Sequence, residues 1–259
     1  MLKQQTPYLS IKSKFFLLIL ACIIASIAVV SWQSIKVAKQ GLHAATQNRL
    51  KSNRESKARQ LENYFQQIRN QAITLSENYM TIKAVKEFGL AFKQLAIGTT
   101  STNHYEAQLA TLRAYYQQEF LPRLEQNSAQ SQSFNFYYPK DERTSYLQQH
   151  YIALNPNATG KKDNLTMAED GSDYSRVHQK YHPVLKDFQR RFGFYDIFLI
   201  EQQSGAIVYS VFKEVDFATN LRNGPYADSN LGNIFRQLQD TGDPNAVRLI
   251  DFSPYTPSY

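Results

Sequence analysis

Cysteine, tryptophan and, near the N-terminus, acidic residues are scarce in this sequence. One cysteine and one tryptophan occur among 259 residues. A single cysteine excludes a disulfide-stapled scaffold. Ten glycines and nine prolines exclude collagen-like and low-complexity chains, and 13% aromatic residues exclude wholesale disorder. The remaining composition, 42% hydrophobic and 20% charged, supports one large packed domain or two small ones.

The net charge of +7 comes from the N-terminal segment. The first carboxylate is Glu55, and the 54 residues before it carry eight lysines and arginines. The other 205 residues hold 21 basic and 22 acidic side chains, which leaves them nearly neutral. No phosphate-binding patch is therefore predicted for the body of the protein, and nucleic acid is not an expected partner.

A long apolar run, residues 15–32, follows two lysines near the N-terminus. Its eighteen residues contain no charged side chain, and at helical rise they extend about 27 Å, close to the hydrocarbon thickness of a bilayer. Lys12 and Lys14 precede the run and Trp32 ends it, which are positions typical of interfacial anchors. We therefore interpret residues 15–32 as a transmembrane helix.

Local charge does not orient this helix, because basic groups are balanced on its two sides. A short N-terminal tail normally stays in the cytoplasm, and a long following domain is exported largely regardless of its charge. Residues 1–14 are therefore expected to be a cytoplasmic tail. The predicted location is the cell inner membrane, with one span in this chain and a periplasmic body from residue 33 onward.

Two alternatives to a membrane span are open. A cleavable signal peptide has a shorter apolar region that ends in small residues, and no A-x-A pattern follows here. The tetrad Ile19-Leu20-Ala21-Cys22 is similar to a lipoprotein lipobox, in which Cys22 would carry the lipid. The run stays uncharged and largely apolar for ten residues after Cys22, where a lipoprotein usually turns polar. The membrane span is preferred to both.

Residues 33–88 are predicted to form a long stalk helix, because no glycine or proline occurs from residue 42 to residue 88. In its second half, apolar residues alternate steps of four and three and so share one face. They are Leu61, Phe65, Ile68, Ala72, Leu75, Tyr79 and Ile82. This face needs a partner, either the chain's own domain or a parallel second copy. We expect a homodimer through the stalk.

Residues 89–259 are predicted to form an α+β module. Helical patterns cover residues 105–120, 142–151 and 172–192, with Pro122 ending the first and Gly193 the third. The serine- and glutamine-rich segment 127–133 is expected to be a flexible connection, and residues 155–173 a long loop.

Strand patterns follow in the last third of the sequence. Segments 195–201 and 206–212 are rich in β-branched and aromatic residues and are separated by a short turn, which predicts an antiparallel hairpin. A helix opened by Asp228 or Ser229 leads to a third strand, residues 246–252. A three-stranded sheet leaves a bare edge, and no second span follows. We expect the sequence to be the front part of a longer protein.

The order of anchor helix, long helix, helical segment and hairpin resembles the extracytoplasmic double-Cache sensor domains of bacterial receptors. The resemblance covers residues 33–259 and is strongest in the segments NPNATGKKDNL, DGSDYSRVHQKYHPVLKDFQRRFGFYDIFLI and GAIVYSVFKEVDFATNLRNGPYADSNL. It implies a PAS-like (Cache) module, incomplete here, that holds a small ligand, and a later span with a HAMP segment that passes the signal inward. Trp32 is the one tryptophan, so the signature of the amino-acid-binding members cannot be placed.

Candidate ligand-binding residues lie on or just after the hairpin. A small charged ligand needs a few convergent polar groups on an apolar wall. The candidates are Asp196, Tyr209, Lys213, Asp216, Tyr226 and Asp228, with Lys213 taking a carboxylate and the aspartates an amine. The alternative is that Tyr209 belongs to the core and that Lys213 and Glu214 form a solvated pair.

The sequence motifs give weaker support for an enzyme or a metal site than for a ligand-binding site. His178 and His182 have the spacing of a shared metal site, but the glutamate of an H-E-x-x-H motif is missing, which favours a surface pair. The acidic segment 169–173 does not fit a calcium loop and reads as a helix-capping turn. No cofactor, metal or catalytic residue is predicted.

The sequence thus predicts the ligand-sensing input region of a bacterial transmembrane receptor. A methyl-accepting chemotaxis protein is the favoured output. An adenylate or guanylate cyclase, or a sensor histidine kinase, is the first alternative, and an anchored binding lipoprotein without output is the second. The expected partners are a small-molecule ligand, the inner membrane and a second copy of the chain.

Overall fold

The computed structural model describes residues 10–95, 102–127, 133–243 and 245–258. The chain divides into two compact units, Met1–Ile68 and Arg69–Tyr259. Helix α1, Ile11–Glu77, begins in the first unit. Within the described residues, α1 is the one helix long and apolar enough to cross a membrane, by length and composition alone. The predicted span, residues 15–32, lies inside it, and its large apolar side chains are exposed.

The stalk helix is interrupted, contrary to the prediction of one helix over residues 33–88. Helix α1 ends at Glu77, and Asn78 begins helix α2, Tyr79–Lys93. The backbone of Asn78 is extended, and its side chain accepts a hydrogen bond of 2.8 Å from the Met80 N–H. Asparagine at such a position competes with helix continuation by capping the next helix.

This interruption changes which face of the helix is buried. Tyr79 and Ile82, expected on the apolar face, are 77% and 43% exposed. The buried apolar residues of α2 are instead Ala84, Phe88 and Ala91, which pack in the core of the second unit. The predicted periodicity fails here because the break at Asn78 shifts the helical phase.

Helix α3, Thr102–Tyr115, continues through a π-helical turn, Tyr116–Phe120, into helix α4, Leu121–Asn127. Pro122 therefore does not end the helix, contrary to expectation. The π turn immediately before it is bonded from the Leu121 N–H to the Tyr116 carbonyl, and this wider turn accommodates a residue that has no N–H to donate. Of the predicted flexible connection, residues 128–132 lie outside the described residues.

Three further helices precede the sheet. Helix α5 is Phe134–Tyr137, and helix α6, Glu142–Gln148, is capped by Asp141 and extended by a second π turn, Gln149–Ala153. A short 3-10 turn, Lys162–Asn164, lies in the predicted loop. Helix α7, Asp173–Phe192, is capped by Ser172 and ends at Gly193, whose φ of 70° confirms the predicted stop. The turn at residues 169–173 is the predicted cap, because Asp170 accepts from Ser172.

The predicted hairpin is confirmed, with shorter strands. Strand β1, Phe198–Ile200, pairs antiparallel with strand β2, Ile207–Ser210, with Leu199 opposite Tyr209. Helix α8, Asn230–Thr241, begins after Ser229, whose hydroxyl accepts from the Gly232 N–H. The predicted third strand is wrong: residues 246–252 are described, and they form no strand. Phe252 is fully exposed there, and the sheet that the described residues form contains β1 and β2 alone, so this segment has no strand partner in it.

The core of the second unit is aromatic. Phe88 from α2 is fully buried, and its ring centroid lies 4.9 Å from that of Tyr209 and 5.3 Å from that of Tyr174. The Tyr174 hydroxyl donates to the Val208 carbonyl at 2.7 Å. This packing joins helices α2 and α7 to strand β2, which carries Tyr209 and leads directly to Lys213.

Gly232, in the first turn of α8, packs closely against the backbone of the preceding turn, and a substitution can test this packing. A Cβ at this position would lie 2.0 Å from the Ala227 carbonyl oxygen, which is backbone and cannot rotate away. We expect Gly232→Ala to lower the free energy of unfolding by about 1–3 kcal/mol through overpacking. Gly41→Ala, where nothing lies within 4 Å, is the control and is expected to have little effect. Thermal unfolding of both variants provides the measurement, and equal melting profiles would contradict the geometry.

Candidate ligand-binding site

The structure brings five of the six candidate residues together around the end of β2. Tyr209, Lys213, Asp216 and Tyr226 are buried, and the Oδ2 atom of Asp196 is also shielded from solvent. Asp196 belongs to the same group, because the charge of Lys213 acts on its carboxyl and lowers its pKa against the effect of burial. Asp228 is different, because it is exposed in the turn before α8.

Lys213 is the buried cation of the site, and the expectation of a solvated Lys213–Glu214 pair is wrong. Its backbone adopts φ 63°, which turns the chain after β2, and its Nζ donates to the Ser210 carbonyl. The ammonium lies 4.4 Å from the ring centroid of Tyr209 and 5.1 Å from that of Phe217. Burial lowers the pKa of Lys213 to about 7, opposed by the negative field of Asp196.

Tyr209 lies in the core, as the alternative interpretation expected. Its ring is fully buried, and its hydroxyl contacts the Nδ1 atom of His182 at 2.7 Å. Tyr209 therefore forms part of the aromatic wall around the Lys213 ammonium and part of the support for helix α7.

Asp196 anchors the end of the hairpin through one of its carboxylate oxygens. Its Oδ1 accepts from the N–H groups of Val211 and Phe212 at 2.8 Å and 3.0 Å, and from Ile197 at 2.6 Å. Its Oδ2 is buried and has no hydrogen-bond partner among the described residues. Burial raises the pKa of Asp196 to about 6, although the three backbone donors favour the ionised form.

Asp216 is fully buried and is only partly satisfied. Its Oδ2 accepts a hydrogen bond of 2.5 Å from the Tyr255 hydroxyl, while its Oδ1 has no partner in the described part of the chain. Burial raises the pKa of Asp216 well above its ordinary value. The hydroxyl of Tyr226, which is 3% exposed, also has no partner there. A buried polar atom without a partner is costly and calls for an explanation.

Glu214 also belongs to the site, although it was not among the six ligand-binding candidates predicted from the sequence. Its two carboxylate oxygens accept from the hydroxyls of Tyr195 and Ser258, each at 2.7 Å. Burial raises the pKa of Glu214 to about 7. Tyr255 and Ser258 were missed as well, because they come from a proline-containing segment distant in sequence from the hairpin and carry no local signal of their role.

His178 and His182 are buried, so the expectation of a surface pair is wrong. The Nε2 of His182 must donate to the Asp163 carbonyl at 2.7 Å, which leaves its Nδ1 to accept from the Tyr209 hydroxyl. The Nδ1 of His178 donates likewise to the Thr166 carbonyl at 2.6 Å. Burial lowers the pKa of both rings, that of His182 to about 3. Two neutral rings thus hold helix α7 to the loop before it, a structural role.

Within residues 10–95, 102–127, 133–243 and 245–258, no group of three or more His, Cys, Asp or Glu side chains is arranged to hold a metal ion. The chemistry of the site is therefore that of hydrogen-bond acceptors, aromatic rings and one enclosed lysine.

A separate surface cavity of about 520 Å³ lies beside α6 and the turn before α8. Phe136, Tyr138, Asp141 and Asn220 are among its lining residues, and it contains none of the six candidates. Asp141 and Asn220 are already engaged there, Asp141 as the cap of α6 and Asn220 with the Arg222 N–H. The buried carboxyl cluster remains the better candidate for ligand recognition.

Comparison of the chain with models of known protein families, with curated proteins and with solved structures gives no match. The class that fold and site define is therefore an α-helical and two-stranded antiparallel domain that follows a helix capable of spanning a membrane.

Proposed function

We propose that this chain is the extracytoplasmic ligand-sensing input region of a bacterial transmembrane receptor. The observation that carries the proposal is Asp216, a fully buried carboxyl with one oxygen that has no partner among the residues that the structure describes. Asp196 provides a second such oxygen on the neighbouring strand segment. A folded protein retains unsatisfied buried acceptors where they serve function, and ligand binding is the function that a polar group on an aromatic wall performs best.

Helix α1 supports the proposed membrane attachment. It runs without a break through Cys22, and the Ser26 hydroxyl donates to the Cys22 carbonyl at 2.8 Å. The inner membrane is the proposed location, with residues from 33 onward in the periplasm.

The proposed output is that of a methyl-accepting chemotaxis protein, and a cyclase or histidine kinase is the alternative. Binding would bias two arrangements of the stalk helices within a homodimer. A coupling free energy of about 1–3 kcal/mol between the ligand site and the stalk is sufficient for a useful response.

Topology provides the first test. A reporter enzyme that is active only after export, fused behind Gln40, is expected to be active, and the full chain is expected to remain in vesicles after carbonate washing. A matched fusion behind Ser10 is expected to be inactive. Cytosolic activity of the Gln40 fusion, or release of the chain by carbonate, would exclude the membrane receptor.

Ligand binding provides the second test. The full chain in lipid nanodiscs is screened by thermal shift against a library of small metabolites, in parallel with the Asp216→Asn variant. We expect at least one compound to raise the melting temperature of the wild type and not that of the variant. A library that produces no shift in either protein would refute the sensory function.

A further inference from the structure

We infer that Tyr255 occupies the position of the ligand at Asp216, and that the ligand presents an organic ammonium group which displaces the Tyr255 hydroxyl. This inference rests on the proposed sensory function. It names the chemical class of the ligand and identifies the Tyr255–Asp216 hydrogen bond as the contact with which the ligand competes. The segment 253–258, which carries Tyr255 and Ser258, is called the strap below.

Unused acceptors are the first part of the argument. Asp216 offers Oδ1 without a partner in the described part of the chain, and the Tyr226 hydroxyl nearby is also unpartnered. Both side chains are almost wholly buried. Asp216 and Tyr226 lie close enough to interact electrostatically, so their two open polar groups indicate a place for a hydrogen-bond donor.

Aromatic rings determine which donor fits. The ring centroid of Tyr226 lies 6.3 Å from that of Tyr255 and 6.3 Å from that of Tyr137. A carboxylate next to aromatic faces is the environment that stabilises an ammonium ion, through charge-assisted hydrogen bonds and cation–π attraction. An anionic ligand would meet repulsion from the same carboxyl.

The charge balance of the site agrees. Asp196, Glu214 and Asp216 lie close enough to interact electrostatically, since Asp196 raises the pKa of both other carboxyls and Glu214 raises that of Asp216. Lys213 is the one cation that belongs to this cluster in the described residues, and it is already held by the Ser210 carbonyl and the surrounding rings. Burial raises the pKa of these three carboxyls, and a second positive charge among them would favour their ionised forms.

The strap explains how the site is kept closed without ligand. Tyr255 donates to Asp216 and Ser258 donates to Glu214, so two hydroxyls of one short segment satisfy two buried carboxyls. Pro257 is the buried residue between them, while Phe252 just before the strap is fully exposed. The Tyr255 hydroxyl leaves Asp216 when a stronger donor takes this acceptor.

The test measures binding of ethylammonium to the full chain in nanodiscs by saturation-transfer NMR, with acetate as the anionic probe. We expect ethylammonium to bind the wild type, and to bind Tyr255→Phe about three- to tenfold more tightly because the competing hydroxyl is gone. Tyr226→Phe is expected to weaken binding several-fold, and Asp216→Asn to abolish it. Tyr79→Phe removes a hydroxyl from an exposed residue of α2 outside the site and is the matched control, expected to leave the affinity unchanged. Melting curves establish that each variant folds.

The outcomes separate this inference from the sensory function on which it rests. Equal ethylammonium affinity in wild type and Tyr255→Phe would overturn the displacement. Binding of acetate in place of ethylammonium, lost in Lys213→Met, would overturn the ammonium assignment while leaving a sensor of different chemistry. If Asp216→Asn fails to fold, loss of affinity in the folded Tyr226→Phe variant still supports the site, and unchanged affinity there contradicts it. Absence of binding by both probes, when the metabolite screen detects a ligand, overturns the inference alone.

Discussion

Phe88→Ala is expected to lower the free energy of unfolding of the second unit by about 3–5 kcal/mol. The Phe88 ring is fully buried, and its centroid lies within 6.3 Å of the ring centroids of Tyr174, Tyr181, His178 and Tyr209. Truncation removes apolar area and leaves a cavity. Three of the four surrounding rings belong to α7 and the fourth to β2, so the rings are held in place and cannot easily fill the cavity.

Urea unfolding of the full chain in detergent provides the measurement for Phe88→Ala. Leu90→Ala is the matched control, because Leu90 lies on the same helix α2 but is 60% exposed. We expect the control to change the free energy of unfolding by no more than about 0.5 kcal/mol. Similar midpoints for the two variants would show that α2 is not part of the central core.

Glu214→Gln is expected to alter the pH dependence of stability. The pKa of Glu214 is raised from 4.5 to about 7, so the folded state holds its proton more tightly than the unfolded chain does. The contribution of Glu214 to stability is therefore fully present below pH 4.5 and is lost as the pH rises to about 7. The loss amounts to about 2–3 kcal/mol, since one pKa unit corresponds to about 1.4 kcal/mol.

Glutamine keeps the shape of the side chain and does not titrate. The free energy of unfolding of Glu214→Gln minus that of the wild type is therefore expected to increase between pH 4.5 and 7. Asp196, Lys213 and His182 also change ionisation between the folded and unfolded states, but both proteins share them, so they largely cancel in this difference. Urea unfolding at a series of pH values provides the measurement, with the exposed Glu125→Gln as control. A difference that stays constant with pH would show that Glu214 is not the titrating group.

Local sequence patterns predicted several elements correctly. Gly193 was recognised at the end of α7, and Ser229 was one of the two residues expected to begin α8, because left-handed stops and side-chain caps depend on neighbouring residues only. The hairpin was found because alternating β-branched and aromatic residues flank a short turn. The helix over the apolar run was predicted for the same reason, because its signal is contained in eighteen consecutive residues.

Patterns that depend on distant partners were less informative. Residues 246–252 have strand propensity but form no strand, because a strand also requires a neighbour to pair with. The stalk periodicity did not reveal the break at Asn78, because its cap is a single side-chain hydrogen bond. The histidines of α7 were predicted to lie on the surface. They lie in the interior, where the carbonyls of Asp163 and Thr166 accept hydrogen bonds from their ring N–H groups.

The sequence by itself determined a basic N-terminal segment, one apolar helix, a helical body and a hairpin, since each of these is encoded by composition or by residues a few positions apart. Only the tertiary structure decided which polar side chains are buried together. It enclosed Lys213 among aromatic rings, exposed Asp228, and placed Tyr255 and Ser258 on Asp216 and Glu214, some forty residues earlier in the chain. The physical reason is that burial of a charge depends on what packs around it, and that packing is set by contacts between segments far apart in sequence.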